Sequence, residues 1–129
     1  MADYSELMGR FRVAYAAADP AGLAEVLAPG FDWHLNWFAP DQPIPTGNVL
    51  LGVDEMVAEV RRRKQTWTNV RYRDLHERFA DGLVVQTFTI SGIDEHDTPF
   101  EVAAVDLYPV VDGRIAKKDT YWKHQALVS

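Results

Sequence analysis

Residues 100–123 read Phe-Glu-Val-Ala-Ala-Val-Asp-Leu-Tyr-Pro-Val-Val-Asp-Gly-Arg-Ile-Ala-Lys-Lys-Asp-Thr-Tyr-Trp-Lys. Two β-type runs meet at Asp112-Gly113, a dipeptide suited to the positive φ angles of a tight hairpin turn. Asp106 stands alone in the apolar run Val102, Ala103, Ala104, Val105, Leu107, Tyr108. An acid in that setting has to be protonated, paired or turned to water, because burying an unpaired charge is too costly. Alternation puts Asp106 on the face of Val102, Ala104 and Tyr108. Lys118, Thr120 and Trp122 share the matching face of the last strand, unless the register slips by one residue and brings Asp119 inward. The outward parity holds Ala103, Val105, Leu107, Ile115 and Tyr121, too apolar for open solvent.

Upstream, residues 4–18 have helical spacing, with Leu7, Met8, Phe11, Ala14, Tyr15 and Ala18 on one stripe and Asp3 and Glu6 in a capping arrangement. Asp19-Pro20 starts a short second helix that buries Leu23, Val26 and Leu27 and ends at Pro29-Gly30. Phe31 to Phe38 alternates as a strand, and the proline-bearing segment 39–51 reads as a loop. A third helix over 52–64 buries Val53, Met56, Val57 and Val60. Asp54 and Glu55 open it, and Arg61-Arg62-Arg63-Lys64 close it as a solvated basic end. Trp67–Phe79 turns at Asp81-Gly82 into Leu83–Ser91, and a loop over 92–99 leads into the final hairpin. The order ααβαββββ is α+β, a curved antiparallel sheet wrapped around N-terminal helices in one domain, 1–129.

A chain of 129 residues, 47% hydrophobic and 25% charged, can bury a core without staples. With no cysteine, disulfides, thiolate metal sites and cysteine nucleophiles are excluded. A net charge of −6 disfavours nucleic acid. The absence of a leader pattern and of a long apolar run leads to the expectation of a cytoplasmic protein without membrane contact.

Element order and lengths together resemble the nuclear-transport-factor-2-like superfamily of cone-shaped α+β barrels, which includes ketosteroid isomerases, SnoaL-like polyketide cyclases, scytalone dehydratases and limonene-epoxide hydrolases. The pieces that carry the resemblance are Leu7-Met8-Gly9-Arg10-Phe11, the stretch Gln42-Pro43-Ile44 to Gly47, and Asp106 followed by Gly113-Arg114-Ile115 and Tyr121-Trp122. The resemblance implies a cone whose interior receives Asp106, and a homodimer through paired outer sheet faces. By likeness to ketosteroid isomerase, the established example of an apolar site that holds a carboxyl neutral, Asp106 falls on a protonated aspartic acid donating to the substrate oxyanion. Trp122 falls on a pocket-wall tryptophan. Phe11 occupies the place of the oxyanion-hole tyrosine, and the base position falls on Leu35 or its neighbours His34 and Asn36. By likeness to limonene-epoxide hydrolase, His34 and Asn36 fall where a tyrosine and an asparagine hold the attacking water, and the Arg-x-Asp of that family falls on Phe88-Thr89-Ile90.

The candidate catalytic residues are Asp106, as a general acid or as half of a buried pair with Lys118; Lys118 itself; and His34, the best base if it faces inward. If Trp33, Leu35 and Trp37 face inward instead, they are pocket wall. Candidate substrate contacts are Phe11, Tyr15, Trp33, Asn36, Trp37, Tyr72, Gln86, Phe88, Tyr108, Thr120 and Trp122. His76, His96 and His124 share no metal-ligand spacing, and no phosphate loop or dinucleotide fingerprint occurs. Three functions fit. One is an enzyme performing isomerisation, cyclisation or dehydration on a small apolar carbonyl- or hydroxyl-bearing substrate, with no metal or cofactor implied. The second is a binding module for a hydrophobic ligand, and the third an interaction domain; an epoxide-hydrolase-like enzyme is a variant of the first.

Overall fold

Local chemistry sets the ends of most elements. The computed structural model describes residues 2–36 and 48–123. α1 spans Ser5–Ala17 and buries Met8, Phe11 and Ala14. Asp3 accepts from the Ser5 backbone N–H and hydroxyl, so the expected cap with Glu6 is replaced by a local turn. α2, Pro20–Val26, starts as the sequence predicts: the Asp19 carboxylate accepts from Ala21 N at 3.1 Å, with Pro20 in the first turn. The chain becomes extended earlier than expected, at Leu27, and Pro29-Gly30 lies inside β1 (Leu27–Asn36) instead of ending the helix. There Gly30 takes φ 78° and the pairing of β1 slips between Leu27 and Asp32, a bulge that glycine tolerates.

Asn48–Leu51, expected to be loop, forms β2 and pairs antiparallel with β1. α3 follows over Gly52–Thr66, with Met56, Val57 and Val60 buried. Three long strands and a shorter one follow: β3 (Thr68–Ala80), β4 (Leu83–Ile93), β5 (Pro99–Val111) and β6 (Arg114–Lys123). The sheet order is β2-β1-β6-β5-β4-β3, antiparallel except where β1 lies parallel to β6. Among the described residues β2 and β3 are the edge strands, and the curved sheet they bound is not closed into a barrel. The three helices pack against its inner face, in the α+β cone arrangement that the sequence predicts. Trp37, residues 39–47 of the expected loop and His124 lie outside the described residues.

The β5–β6 hairpin turns with both Asp112 (φ 51°) and Gly113 (φ 75°) left-handed, as the Asp-Gly dipeptide requires. Farther along, Leu107 pairs with Asp119 but Val110 pairs with Ile115. Residues 116–118 of β6 therefore oppose only Tyr108 and Pro109, a one-residue bulge. Pro109 has no N–H to give the ladder, which is the usual reason for a break at that point. The bulge flips parity. Ile115, expected outward, is fully buried and packs in the main core with Met8, Leu23, Val26 and Tyr108. A smaller cluster of Phe88, Ile90, Val102 and Ala104 lies farther along the sheet, joined by Trp67, Phe100 and Trp122.

Ile115→Ala is expected to cost about 2–5 kcal/mol in urea unfolding, the range for emptying a packed aliphatic site. Tyr121→Ala, on the exposed face, should cost well under half as much. Equal costs would contradict the bulge.

Candidate functional site

Between the two apolar clusters lies a cavity of about 520 Å3. α1 and α3 form one wall, and the inner faces of β1 and of β3 through β6 form the other. Exposed Val70, Tyr72 and Leu75 on edge strand β3 mark its open side, facing Arg12, Ala16 and Lys64 on the helices. Aromatic rings dominate the walls, and the polar groups gather at the floor.

The floor is an ion pair taken out of water. Asp106 is 1% exposed and Lys118 5%, and Lys118 Nζ lies 2.8 Å from Asp106 Oδ2. Such a pair survives burial only if its remaining lone pairs and protons also find partners. They do. Thr120 Oγ1 donates to Asp106 Oδ1 at 2.6 Å, and Trp33 Nε1 donates to Thr120 Oγ1 at 2.9 Å. Indole N–H can only donate, so it fills a Thr120 lone pair and leaves the threonine proton for Asp106. Lys118 also donates to the Tyr108 hydroxyl at 3.0 Å. Its ammonium sits 5.1 Å from the ring centres of Tyr15 and Trp33 and 5.3 Å from that of Tyr108, within cation–π range. Both Asp106 oxygens thus face donors. That is the setting of a carboxylate, and it matches the ion-pair alternative for Asp106 better than a neutral donor.

Burial, reinforced by the adjacent Asp106 charge, pushes the Tyr108 hydroxyl well above its ordinary value, so it stays protonated. Tyr15 is raised as well, first by burial.

A second cation lies higher in the cavity. Arg63, in the basic run expected to be solvated, is buried. Its guanidinium lies 4.7 Å from the Trp67 ring, 4.9 Å from Trp33 and 5.8 Å from Trp122. Its Nε donates to Glu59 at 2.7 Å, and Arg62 holds the same carboxylate through two hydrogen bonds. Burial works against the Glu59 charge, but the two arginines outweigh it and hold the carboxyl below its ordinary value.

The model of the SnoaL-like domain matches residues 9–118. The chain belongs to the SnoaL-like domain family. No curated protein sequence matches it. Solved structures share the fold at low identity. An NTF2-like protein from Burkholderia xenovorans LB400 is 16% identical over 92% of this chain and 87% of its own, with TM-score 0.77. A proposed polyketide cyclase from Pseudomonas putida KT2440 is 16% identical over 95% and 93%, with TM-score 0.70. A protein of ketosteroid isomerase-like fold from Catenulispora acidiphila, in complex with trimethylamine, is 17% identical over 92% and 86%, with TM-score 0.69.

In this SnoaL-like domain the cavity brings together Asp106, Lys118, Phe11, Tyr15, Trp33, Tyr72, Gln86, Phe88, Tyr108, Thr120 and Trp122. It does not receive His34 or Asn36. Trp33 and Leu35 take the buried face of β1, so His34 and Asn36 turn to the outer face. There His34 lies 3.5 Å from Asp32, and Asn36 donates to Asp119 at 2.6 Å. Asp119 is outward and Lys118 inward, so the feared register slip does not occur. Sequence reasoning missed Arg63, Trp67 and Glu77. Arg63 and Trp67 carried a signal: they stand four apart at a helix end, with a tryptophan that the helix stripe leaves unexplained. Glu77 carried none, because its face is set by irregular pairing near Asp74, where φ is 56°.

Glu59 gives a pH prediction. A carboxyl whose folded value is depressed adds stability that is fully present above its unfolded value, near 4.5, and lost as pH falls through the folded value. Glu59→Gln should therefore be less stable than wild type by a constant margin above about pH 5.5. The margin should shrink steadily in more acid solution, as followed by denaturant unfolding. A margin that persists at low pH would show that Glu59 acts by packing and not by charge.

Proposed function

We propose that this SnoaL-like domain is a cofactor-independent enzyme performing acid–base chemistry on a small apolar substrate that bears a carbonyl or hydroxyl group. Isomerisation, cyclisation and dehydration all fit a largely apolar cavity with one proton acceptor and one donor. The observation that carries the reading is the Asp106–Lys118 pair on the floor of an aromatic cavity. The Asp106 carboxylate would take a proton from the substrate. Lys118 has three N–H bonds, two of them given to Asp106 and Tyr108. The third is available to a substrate oxygen on which charge develops, an arrangement that stabilises an enolate. His34 plays no part in this reading, since it lies across the sheet from the cavity.

A volume of about 520 Å3 falls within the range of small-molecule sites. The trimethylamine bound by the Catenulispora protein supports reading such a cone as a ligand site. In this chain the aromatic faces already hold the Arg63 and Lys118 cations, which argues against an amine ligand. The second reading is a binding module without turnover. It is favoured by the mutual neutralisation of the floor charges and by the outward placement of the one histidine considered as a base.

The test pairs stability with turnover, using carbonyl-bearing aromatic compounds as probes. Asp106→Asn and Lys118→Met should each lose about 3–5 kcal/mol of stability, because each strands a buried charge. The double variant should recover much of that loss. With any compound that wild type converts, Lys118→Met should lower kcat about 10²–10³-fold, the usual loss for one oxyanion donor. Binding of probes with no conversion by wild type would select the binding module. Conversion at an unchanged rate by the double variant would remove the pair from the mechanism.

We also infer a homodimer through the outer sheet face, where Ala103, Val105, Leu107 and Tyr121 remain apolar and partly or fully accessible. Light scattering at micromolar concentration should give twice the 14.6 kDa chain mass, and a monomer mass would refute it. No helix among the described residues is long and apolar enough to cross a membrane.

A further inference from the structure

A line of polar side chains runs straight across the inner face of four strands. Glu77 on β3 is registered opposite Gln86 on β4, Gln86 opposite Asp106 on β5, and Asp106 opposite Thr120 on β6. Donor and acceptor chemistry fixes the direction of each hydrogen bond along it. Glu77 takes Arg12 on Oε1 and Gln86 Nε2 on Oε2, the latter at 2.9 Å. A carboxylate only accepts, so the Gln86 amide aims its NH2 at Glu77 and its carbonyl oxygen inward. From the other side Lys118 only donates, so the Tyr108 oxygen accepts from it. The Tyr108 proton must then go elsewhere, and two acceptors are in reach: Asp106 Oδ2 at 3.1 Å and Gln86 Oε1 at 3.3 Å.

We propose that Glu77 and Gln86 are positioning residues for the floor of the cavity: they hold a second acceptor against Tyr108, so that Asp106 can gain and lose a proton while the Tyr108 hydroxyl stays hydrogen-bonded. This rests on Asp106 being the proton acceptor of the proposed reaction. With Asp106 ionised, the Tyr108 O–H is shared between Asp106 Oδ2 and Gln86 Oε1. When a substrate C–H bond breaks, the proton goes to the Asp106 carboxylate and the electron pair settles on the substrate oxygen facing Lys118. The Tyr108 O–H then rotates to Gln86 Oε1, with no proton leaving tyrosine. Without Gln86 in this orientation, the buried hydroxyl would keep only the weaker acceptor of a protonated carboxyl. Arg12 holds Glu77 in place through their ion pair, which keeps an acceptor in front of the amide NH2 and opposes its turning over.

The experiment uses ligand-free protein with tyrosine labelled with 13C at Cζ, the Tyr108 resonance being assigned by its loss in Tyr108→Phe. Glu77→Met removes the acceptor that pins Gln86, Gln86→Leu removes the second acceptor itself, and Glu77→Gln keeps an acceptor of the same length. The Tyr108 resonance should shift in the same direction in Glu77→Met and Gln86→Leu, and hold its wild-type position in Glu77→Gln. An unmoved resonance in the first two variants overturns the proposal, as does an equal shift in Glu77→Gln, which would mean that only the charge matters. On a substrate that wild type converts, Glu77→Met and Gln86→Leu should lower kcat about tenfold at unchanged KM, the value of one hydrogen bond. Glu77→Gln should recover most of that loss, and an unchanged kcat in the first two variants overturns the positioning role. Because the resonance is read without ligand, its failure leaves the proposed reaction standing. A wild type that converts nothing removes the reaction without altering the Tyr108 result.

Discussion

Two opposite charges can stay together inside an apolar sheet only if nearly every lone pair and N–H around them is used, and most of this structure follows from that requirement at Asp106 and Lys118. Thr120 sits beside them on the same strand face, and Tyr108 bridges the pair from two residues along β5. Trp33 reaches Thr120 because β1 lies parallel to β6, with Trp33 registered against Lys118 and Leu35 against Thr120. The hydrophobic core and the polar floor also make competing claims on β6. Ile115 has to face the helices, and Lys118, three residues on, has to face the same way. A regular strand cannot do both, and the bulge opposite Pro109 allows it.

The upper part of the cavity repeats the same physics with a different cation. Arg63 comes from the last turn of α3, a place where basic residues normally run into solvent and favour the helix dipole. Here the guanidinium turns inward among Trp33, Trp67 and Trp122, whose faces suit a flat, weakly hydrated cation better than an ammonium. Glu59, one turn earlier, supplies the counter-charge. Each buried cation therefore has a carboxylate and aromatic faces around it, and the walls left for a ligand are apolar. The proposed function rests on the floor, where Asp106 and Tyr108 use two of the three N–H bonds of Lys118.

Membership of the SnoaL-like family accounts for the cone and leaves the chemistry to the side chains, since one fold hosts many reactions. Phe11 stands in the cavity wall where the resemblance to ketosteroid isomerase would place a tyrosine, and it packs edge-on against Tyr108. The hydroxyl nearest Asp106 comes instead from Tyr108 on the same strand, with Lys118 opposite. The polar centre is therefore assembled almost wholly from the terminal hairpin, with the row of Gln86 and Glu77 extending it toward the sheet edge.

The sequence by itself determined the order of helices and strands apart from β2, the Asp112-Gly113 turn and the face that Asp106 shares with Val102, Ala104 and Tyr108. Each of these depends on near neighbours: the spacing of apolar residues, the left-handed φ of a dipeptide, or strict alternation along a run without interruption. It did not decide between Lys118 and Asp119, because both faces of β6 mix apolar and polar residues and alternation is then silent on which face is inside. In β1 Phe31, Trp33 and Leu35 alternate cleanly with Asp32, His34 and Asn36, and only the resemblance kept His34 as an inward alternative. Glu77 was beyond it, and the signal at Arg63 and Trp67 was incomplete, for a related reason. A buried charge needs partners that the local pattern does not name, here Trp33 on β1 and Trp122 on β6 besides nearby Glu59 and Trp67 for Arg63, and Gln86 with Arg12 for Glu77. Those partners meet only when bulges at Gly30, Asp74 and residues 116–118 shift the strand faces, and such shifts are set by how the whole sheet curves around the helices.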